Sequence, residues 1–235
     1  MAVTPWTLLD TAPVPGSTDQ LRLLQRGREF SLRIGHGELM NSRAHGSEED
    51  LATLACARLT GRKNVRVLVG GLGMGFTMRA ALGVLGRDAK VVVAELVSAV
   101  VDWNCGPMAE FLGDPKADPR ADIRVADVAD LIRGERAAWD AILLDVDNSP
   151  EGLIRQANDR LYDFDGLSAV QTALRPGGIL GVWSAGAEAS FSRRLRQAGF
   201  AVDEVKVRGN GVHGGSRHVV WIAVRPDGRQ GTGQK

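Results

Sequence analysis

The chain has few cysteines, no excess of charge of one sign and no long apolar run, and each absence excludes a class of protein. Two cysteines among 235 residues are too few for a disulfide-stapled secreted domain. With 29 basic and 28 acidic side chains, the sequence gives no electrostatic reason to expect nucleic acid or a membrane surface as a partner. Charges interrupt every apolar run before it reaches membrane-spanning length.

Several motifs that carry chemistry are also missing. The histidines have no zinc-ligand spacing, so no metal site is predicted. There is no G-x-S-x-G nucleophile elbow and no P-loop lysine. Three tryptophans, Trp139, Trp183 and Trp221, are expected in the core rather than in a stacking platform. The first ten residues lack the basic start and apolar stretch of a secretory signal, so we expect a cytoplasmic protein.

Strand-like and helix-like segments alternate through most of the chain. Strands are predicted at 65–69, 90–95, 122–125, 141–145 and 179–183, and this alternation favours a parallel sheet with helices on both faces. Two further strands, 201–207 and 218–224, are separated only by a glycine-rich loop, so they must pair antiparallel. The prediction is a doubly wound α/β fold whose mostly parallel, seven-stranded sheet ends in an antiparallel hairpin. Class I S-adenosylmethionine-dependent transferases have this arrangement.

The chain is expected to divide into three parts. Residues 1–46 form an N-terminal extension with a small β-hairpin, made of Leu21–Gln25 and Glu29–Ile34. A nucleoside-binding α/β transferase domain follows over 47–225. Residues 226–235 have almost no apolar side chains and are expected to be a disordered tail.

A glycine-rich loop follows the first strand of the α/β domain. Glycines there let the backbone turn tightly and approach a ligand at a helix N-terminus. Gly71, Gly73 and Gly75 fit G-x-G-x-G, whereas the dinucleotide pattern G-x-G-x-x-G fails because Phe76 stands at its third glycine position. The loop therefore favours a methyl donor of the S-adenosylmethionine type over a nicotinamide dinucleotide.

Acidic residues stand at the ends of the next three strands, on the edge where open α/β sheets bind ligands. Glu95 is placed to accept hydrogen bonds from ribose hydroxyls. Asp127 either accepts from an adenine amino group or caps a helix, and capping is the commoner role. Asp145 and Asp147 follow the fourth strand, where a carboxylate can orient or deprotonate an acceptor; the alternative is a polar turn. We assign the first two acids, with the three glycines, to the cofactor and the last two to catalysis.

With these motifs assembled, the chain resembles the spermidine synthase family of polyamine aminopropyltransferases over roughly 38–224. The likeness is carried by the glycine loop, the acidic strand ends and two later segments; the similar stretches are 66–75, 92–96, 125–128, 139–145, 161–164 and 174–180. The resemblance implies S-adenosylmethionine or its decarboxylated form as the donor, a small-molecule acceptor and a homodimer. The N-terminal hairpin would then be the remnant of a β-domain that family members carry.

The departures from the family pattern fall at its amine site. Gly73 stands where the family has an amine-binding aspartate, and Asn148 aligns with the second aspartate of its D-x-x-D segment. Ser47 and Glu48 stand where the family has a gatekeeping tyrosine. A diamine needs a carboxylate at each end, so putrescine is not the expected acceptor.

The favoured hypothesis is therefore a transferase that moves a methyl group to a small molecule. Aminopropyl transfer to a different amine is the main alternative. A nucleoside-binding protein without turnover and a nicotinamide oxidoreductase are the other two, and both Phe76 and the closing hairpin count against the oxidoreductase.

Overall fold

A computed structural model describes residues 4–16, 18–145, 160–211 and 214–227, and these contain two β-sheets and seven helices. The strands are β1 Thr7–Pro13, β2 Gln20–Arg26, β3 Glu29–Ile34, β4 Gly37–Asn41, β5 Arg66–Gly70, β6 Lys90–Glu95, β7 Ala121–Val125, β8 Trp139–Leu144, β9 Leu174–Ser184, β10 Ala201–Arg208 and β11 Arg217–Val224. The helices are α1 Gly46–Ala57, α2 Phe76–Val84, α3 Ser98–Cys105, α4 Ala109–Leu112, α5 Val128–Gly134, α6 Phe164–Ala173 and α7 Ala189–Gln197.

The larger sheet has the strand order β10-β11-β9-β8-β5-β6-β7. Strands β5 to β9 pair in parallel, whereas β11 is antiparallel to both β9 and β10. The predicted doubly wound fold with its closing antiparallel hairpin is therefore confirmed. The chain moves outward from β5 to β7 and then returns to the other side of β5 with β8. This reversal opens a crevice at the carboxyl ends of β5 and β8.

The central strands are apolar on both faces because both faces are covered. All six residues of β8 are buried, as are the last four of β5 and the last five of β6. One face packs against α1, α2, α3 and the N-terminal sheet, and the other packs against α5, α6 and α7. No helix in the described ranges is long and apolar enough to cross a membrane.

The N-terminal sheet is larger than predicted. Strands β2 and β3 pair antiparallel as expected, but β1 and β4 flank them, so the sheet has four strands in the order β1-β2-β3-β4. The predicted hairpin is therefore the central pair of a larger sheet. Both missed strands lie at sheet edges, where the alternation of apolar and polar residues that predicts a strand is incomplete. Most of β1 is exposed, and β4 has only five residues. The indole of Trp103 on α3 donates to Asp10 Oδ2 of β1 at 2.7 Å, which ties the two sheets together.

Strand β9 also differs from its prediction. Its first residues, Arg175 to Gly178, have a turn-like composition but lie within the strand, which pairs with β8 through a register shift. Only residues 226 and 227 of the predicted tail lie within the described part of the chain.

A buried carboxylate joins the amino ends of the central strands. Asp140 on β8 is 3% exposed and accepts a hydrogen bond from the main-chain N–H of Arg66 at 2.9 Å. Its two oxygens also accept from Nη1 of Arg62 at 3.0 Å and Nη1 of Arg175 at 2.5 Å. One side chain therefore connects β5, β8, β9 and the turn after α1, at the end of the sheet opposite the crevice.

We predict that Asp140→Ala lowers the free energy of unfolding by about 1.5–3 kcal/mol, because it removes a buried carboxylate that accepts hydrogen bonds from a main-chain N–H and from two partly exposed guanidinium groups. The matched control is Asp203→Ala, which removes the exposed carboxylate of the Arg58–Asp203 ion pair (2.5 Å) and should cost less than about 1 kcal/mol. Urea denaturation of both variants measures the difference. Equal losses would contradict the structural role of Asp140.

Candidate functional site

A cavity of about 580 Å³ lies in the crevice at the carboxyl ends of the parallel strands. Its walls combine the glycine loop and strand ends with the N-terminal sheet, which contributes Leu32, Ile34 and Met40 among others. A cavity of this size suits a small organic ligand. Of the predicted site residues, Gly71, Gly73, Glu95, Asp127 and Asp145 line it together; Gly75 begins the helix behind the loop, and Asp147 lies outside the described residues.

The glycine loop needs its glycines for backbone geometry. Gly71, Gly73 and Gly75 have φ values of 90°, 51° and 76°, in the left-handed region that side chains disfavour. The loop is closed by the N–H of Gly75, which donates to the carbonyl of Leu72 at 2.6 Å. A Cβ atom on Gly73 would lie 2.7 Å from Sδ of Met40, so the N-terminal sheet occupies the space of an aspartate at this position.

Glu95 is held at the end of β6 by the backbone. The side chain is 8% exposed, and its oxygens accept from the main-chain N–H groups of Leu72 at 2.9 Å and Val97 at 2.8 Å. Burial raises the pKa of this carboxyl, and the hydrogen bonds from the backbone oppose that shift. Each oxygen can accept a second hydrogen bond, so the predicted contact with ribose hydroxyls fits this geometry.

Asp127 caps a helix, which is the commoner of the two roles predicted for it. Its side chain accepts from the N–H of Ala129 at 2.8 Å at the start of α5. The same residue lines the cavity, beside Leu96 and Leu161. Contact with an adenine amino group stays a prediction.

Asp145 lies directly after β8, at the switch point. Its N–H donates to the carbonyl of Gly70 at 3.1 Å, and the hydroxyl of Thr77 on α2 donates to its Oδ2 at 2.5 Å. Burial raises the pKa of Asp145 to about 6, against the opposing effect of the Thr77 hydrogen bond. A carboxyl tuned towards neutrality at a cavity wall is suited to exchange a proton with a ligand.

Glu48 is the site residue that sequence reasoning missed. It lies in the first turn of α1, is 8% exposed and accepts from the hydroxyl of Ser47 at 2.6 Å. Burial, with the nearby charge of Asp145, raises its pKa to about 7. Oγ1 of Thr77 lies 3.3 Å from the main-chain oxygen of Glu48, so one threonine joins the two acids. The sequence marks Glu48 only as an acid at a helix start; its proximity to Asp145 arises from the packing of α1 on α2.

Two of the three tryptophans lie in the core as predicted, and the third packs against the core and also reaches the cavity. Trp139 and Trp221 are buried, but Trp183, near the end of β9, lines the cavity. Its ring centre lies 5.0 Å from that of His218 on β11, which also lines the cavity. Burial lowers the pKa of His218, which leaves the imidazole neutral at physiological pH.

The cavity wall is acidic. Five carboxylic acids line it: Glu38, Glu48, Glu95, Asp127 and Asp145. No lysine or arginine is among its lining residues in the described ranges. Such a wall favours ligands that carry positive charge and opposes those that carry a carboxylate. The same part of the chain holds no group of three His, Cys, Asp or Glu side chains arranged like metal ligands.

Three solved structures share this architecture. A spermidine synthase in complex with the transition-state analogue AdoDATO has a TM-score of 0.71 and 14% identity, covering 93% of this chain and 72% of that chain. The spermidine synthase from Thermotoga maritima has a TM-score of 0.72 and 15% identity, with coverage of 93% and 72%. A probable spermidine synthase from Corynebacterium glutamicum has a TM-score of 0.63 and 14% identity, with coverage of 93% and 79%.

These comparisons confirm the fold that the resemblance implies. At such identities the likeness extends to the fold and not to the substrates. No model of a known protein family matches the chain, and no curated protein matches it. The ligands must therefore be argued from the side chains of the cavity.

We predict that Glu48→Gln stabilises the protein at pH 8 by about 1–3 kcal/mol. The pKa of Glu48 is raised in the folded state from 4.5 to about 7, so the loss of stability is absent below about pH 4.5, grows between pH 4.5 and about 7, and keeps its full value above that. Urea denaturation at pH 4.5 and pH 8 measures the effect, which should nearly vanish at the lower pH.

Glu49→Gln is the control for this prediction. It removes a carboxylate from the same helical turn, but the Glu49 side chain is 47% exposed and contacts Nδ1 of His45 at 2.9 Å. Its stability should follow that of the unmodified protein within about 0.5 kcal/mol at both pH values. If Glu48→Gln is no more stabilising than this control at pH 8, Glu48 is not a buried carboxyl with a raised pKa.

Proposed function

We propose that this chain is a transferase that binds decarboxylated S-adenosylmethionine and moves its aminopropyl group to an amine. The observation that carries the proposal is the cavity wall with five carboxylic acids and, among its described residues, no lysine or arginine. Sequence analysis alone favours methyl transfer slightly, because the family's amine-site acids are incomplete. The charge of the assembled wall reverses that preference.

The two donors differ at the end that the glycine loop faces. Intact S-adenosylmethionine carries a carboxylate there, and a carboxylate against an acidic wall needs a cation or several free N–H groups. The decarboxylated donor carries only an ammonium and a sulfonium, and both charges are opposite to those of the wall. The likeness to spermidine synthases, one of which is in complex with AdoDATO, supports the same donor.

The residues described above fit the parts of such a donor. Glu95 stands at a strand end and would accept from the ribose hydroxyls, and Asp127, Leu96 and Leu161, which line the same cavity, would contact the adenine ring. When bound, the donor supplies an electrophilic carbon next to sulfur: the N–C bond forms as the C–S bond breaks, and the bonding electron pair goes to sulfur. The amine reaches that carbon only after losing a proton, which Asp145 accepts and passes to solvent.

Methyl transfer from intact S-adenosylmethionine is the second candidate, and Gly73 is the observation that favours it. Met40 fills the space of an amine-binding aspartate at this position. The loop also precedes the N-terminus of α2, whose N–H groups can hold a carboxylate. The acidic wall weighs against this candidate because the methyl donor keeps its carboxylate.

The identity of the nucleoside product tests the proposal. The protein is incubated with each donor and a mixture of simple amines, and the products are separated by chromatography. Aminopropyl transfer releases methylthioadenosine, whereas methyl transfer releases S-adenosylhomocysteine. We expect methylthioadenosine, and S-adenosylhomocysteine as the only product would contradict the proposal.

We predict that Asp145→Asn lowers this activity by at least about 100-fold, because the amide cannot take the proton of the acceptor. Its affinity for methylthioadenosine should stay within about threefold of the unmodified protein, since the nucleoside contacts are elsewhere. Asp102→Asn, on an exposed position of α3, is the control and should keep full activity. Full activity in Asp145→Asn would reduce Asp145 to a structural residue.

A further inference from the structure

Most of the acids in the cavity wall are already engaged by other groups of the protein. Both oxygens of Glu95 accept from main-chain N–H groups, and Asp127 caps α5. Glu38 accepts from the hydroxyl of Ser31 at 2.6 Å and the amide of Asn41 at 2.8 Å, and Nη2 of Arg33 lies 3.8 Å from it. The oxygens of these three carboxylates therefore already have hydrogen-bond donors within the protein.

Glu48 and Asp145 are different. Their hydrogen bonds from other side chains come from two neutral hydroxyls, those of Ser47 and Thr77. Neither acid takes part in any ion pair among the described residues. The side chain of His45 also acts electrostatically on Glu48, and its Nδ1 lies 2.9 Å from a carboxylate oxygen of Glu49. Glu48 and Asp145 are therefore two neighbouring acids at a cavity wall with no cationic ion-pair partner in the described part of the chain. A positively charged ligand can supply that partner.

Glu48 and Asp145 form this pair although the chain lacks the family's aspartate at Gly73 and its tyrosine before α1. Glu48 itself stands at the start of α1, where the family resemblance leads one to expect a tyrosine, and it is nine-tenths buried. This chain has no aspartate at Gly73, but it has a second acid elsewhere in the cavity. That acid is Glu48, which lies next to Asp145. Two carboxylates at one place bind one ammonium well, whereas two carboxylates at separate places bind the two ends of a diamine.

Besides polar side chains such as Asn41 and Asn210, the described lining includes apolar and aromatic ones. Met40 covers Gly73 from the N-terminal sheet, Leu39 lies beside it, and Trp183 presents an aromatic ring next to neutral His218. The aliphatic and thioether side chains favour contact with an uncharged hydrocarbon group of a ligand.

We propose that Glu48 and Asp145 together hold a single ammonium group, so that the acceptor is a monoamine with an apolar body rather than a diamine. Glu48 is then a specificity-determining residue of the acceptor site. This inference rests on the proposed function, since it assigns the acceptor of that same cavity.

The test is calorimetric titration with two amines of matched length, butylamine and putrescine, with and without saturating methylthioadenosine. The unmodified protein is compared with Glu48→Gln and with the control Glu49→Gln. Glutamine keeps the acceptor for the Ser47 hydroxyl, so the variant retains its local hydrogen bond.

We expect butylamine to bind, and Glu48→Gln to weaken its binding by roughly tenfold or more, the loss expected for one charge-assisted hydrogen bond. Glu49→Gln should bind as the unmodified protein does, and methylthioadenosine should bind all three proteins within about threefold of each other. Putrescine should bind no more tightly than butylamine.

Two results would overturn the inference: equal butylamine affinity in Glu48→Gln and the unmodified protein, or putrescine binding roughly tenfold or more tightly than butylamine, which requires a second carboxylate site. A different result would contradict the proposed function. If the protein binds butylamine through Glu48 but does not bind methylthioadenosine, the acceptor site is supported and the nucleoside donor is not.

Discussion

The reversal of strand order between β5 and β8 is the constraint on which the candidate site depends. Because β6 and β7 lie on one side of β5 and β8 lies on the other, the loops after β5 and β8 diverge and leave a crevice at their carboxyl ends. The glycine loop and Asp145 stand at its two sides, joined by the hydrogen bond from the N–H of Asp145 to the carbonyl of Gly70. The N-terminal sheet then closes the crevice into a cavity and places Met40 against Gly73.

Within that cavity, burial gives the acidic groups their chemistry. Desolvation raises the pKa values of Glu48 and Asp145 to about 7 and about 6, and each is supported by one hydroxyl. A carboxyl with a pKa of about 6 to 7 is ionised when a cation lies next to it. It can also accept a proton that a ligand releases. Under the proposed function, the same pair would bind the acceptor as an ammonium and then take its proton before attack. Glu95, held by the backbone, is fixed in orientation instead.

The sequence predicts the α/β sheet and much of its ligand-binding edge because those features have local signals. The buried strands are apolar on both faces, and the glycine loop, Glu95, Asp127 and Asp145 each follow a strand end, so topology alone brings them together. Glu48 has no such signal, since its partner is 97 positions away (145 − 48) and meets it only through helix packing. Strands β1 and β4 were missed because edge strands are one-sided or short. The sequence also gives no sign that Trp183, which packs against the core, reaches the cavity as well.

The most direct test of the central claim is calorimetric titration of the unmodified protein with S-adenosylmethionine and, separately, with its decarboxylated form. We predict that the decarboxylated donor binds at least about tenfold more tightly, because the wall of the cavity is acidic and a carboxylate is repelled there. Tighter binding of the intact donor would mean that the cavity recognises a carboxylate, and it would contradict aminopropyl transfer as the function.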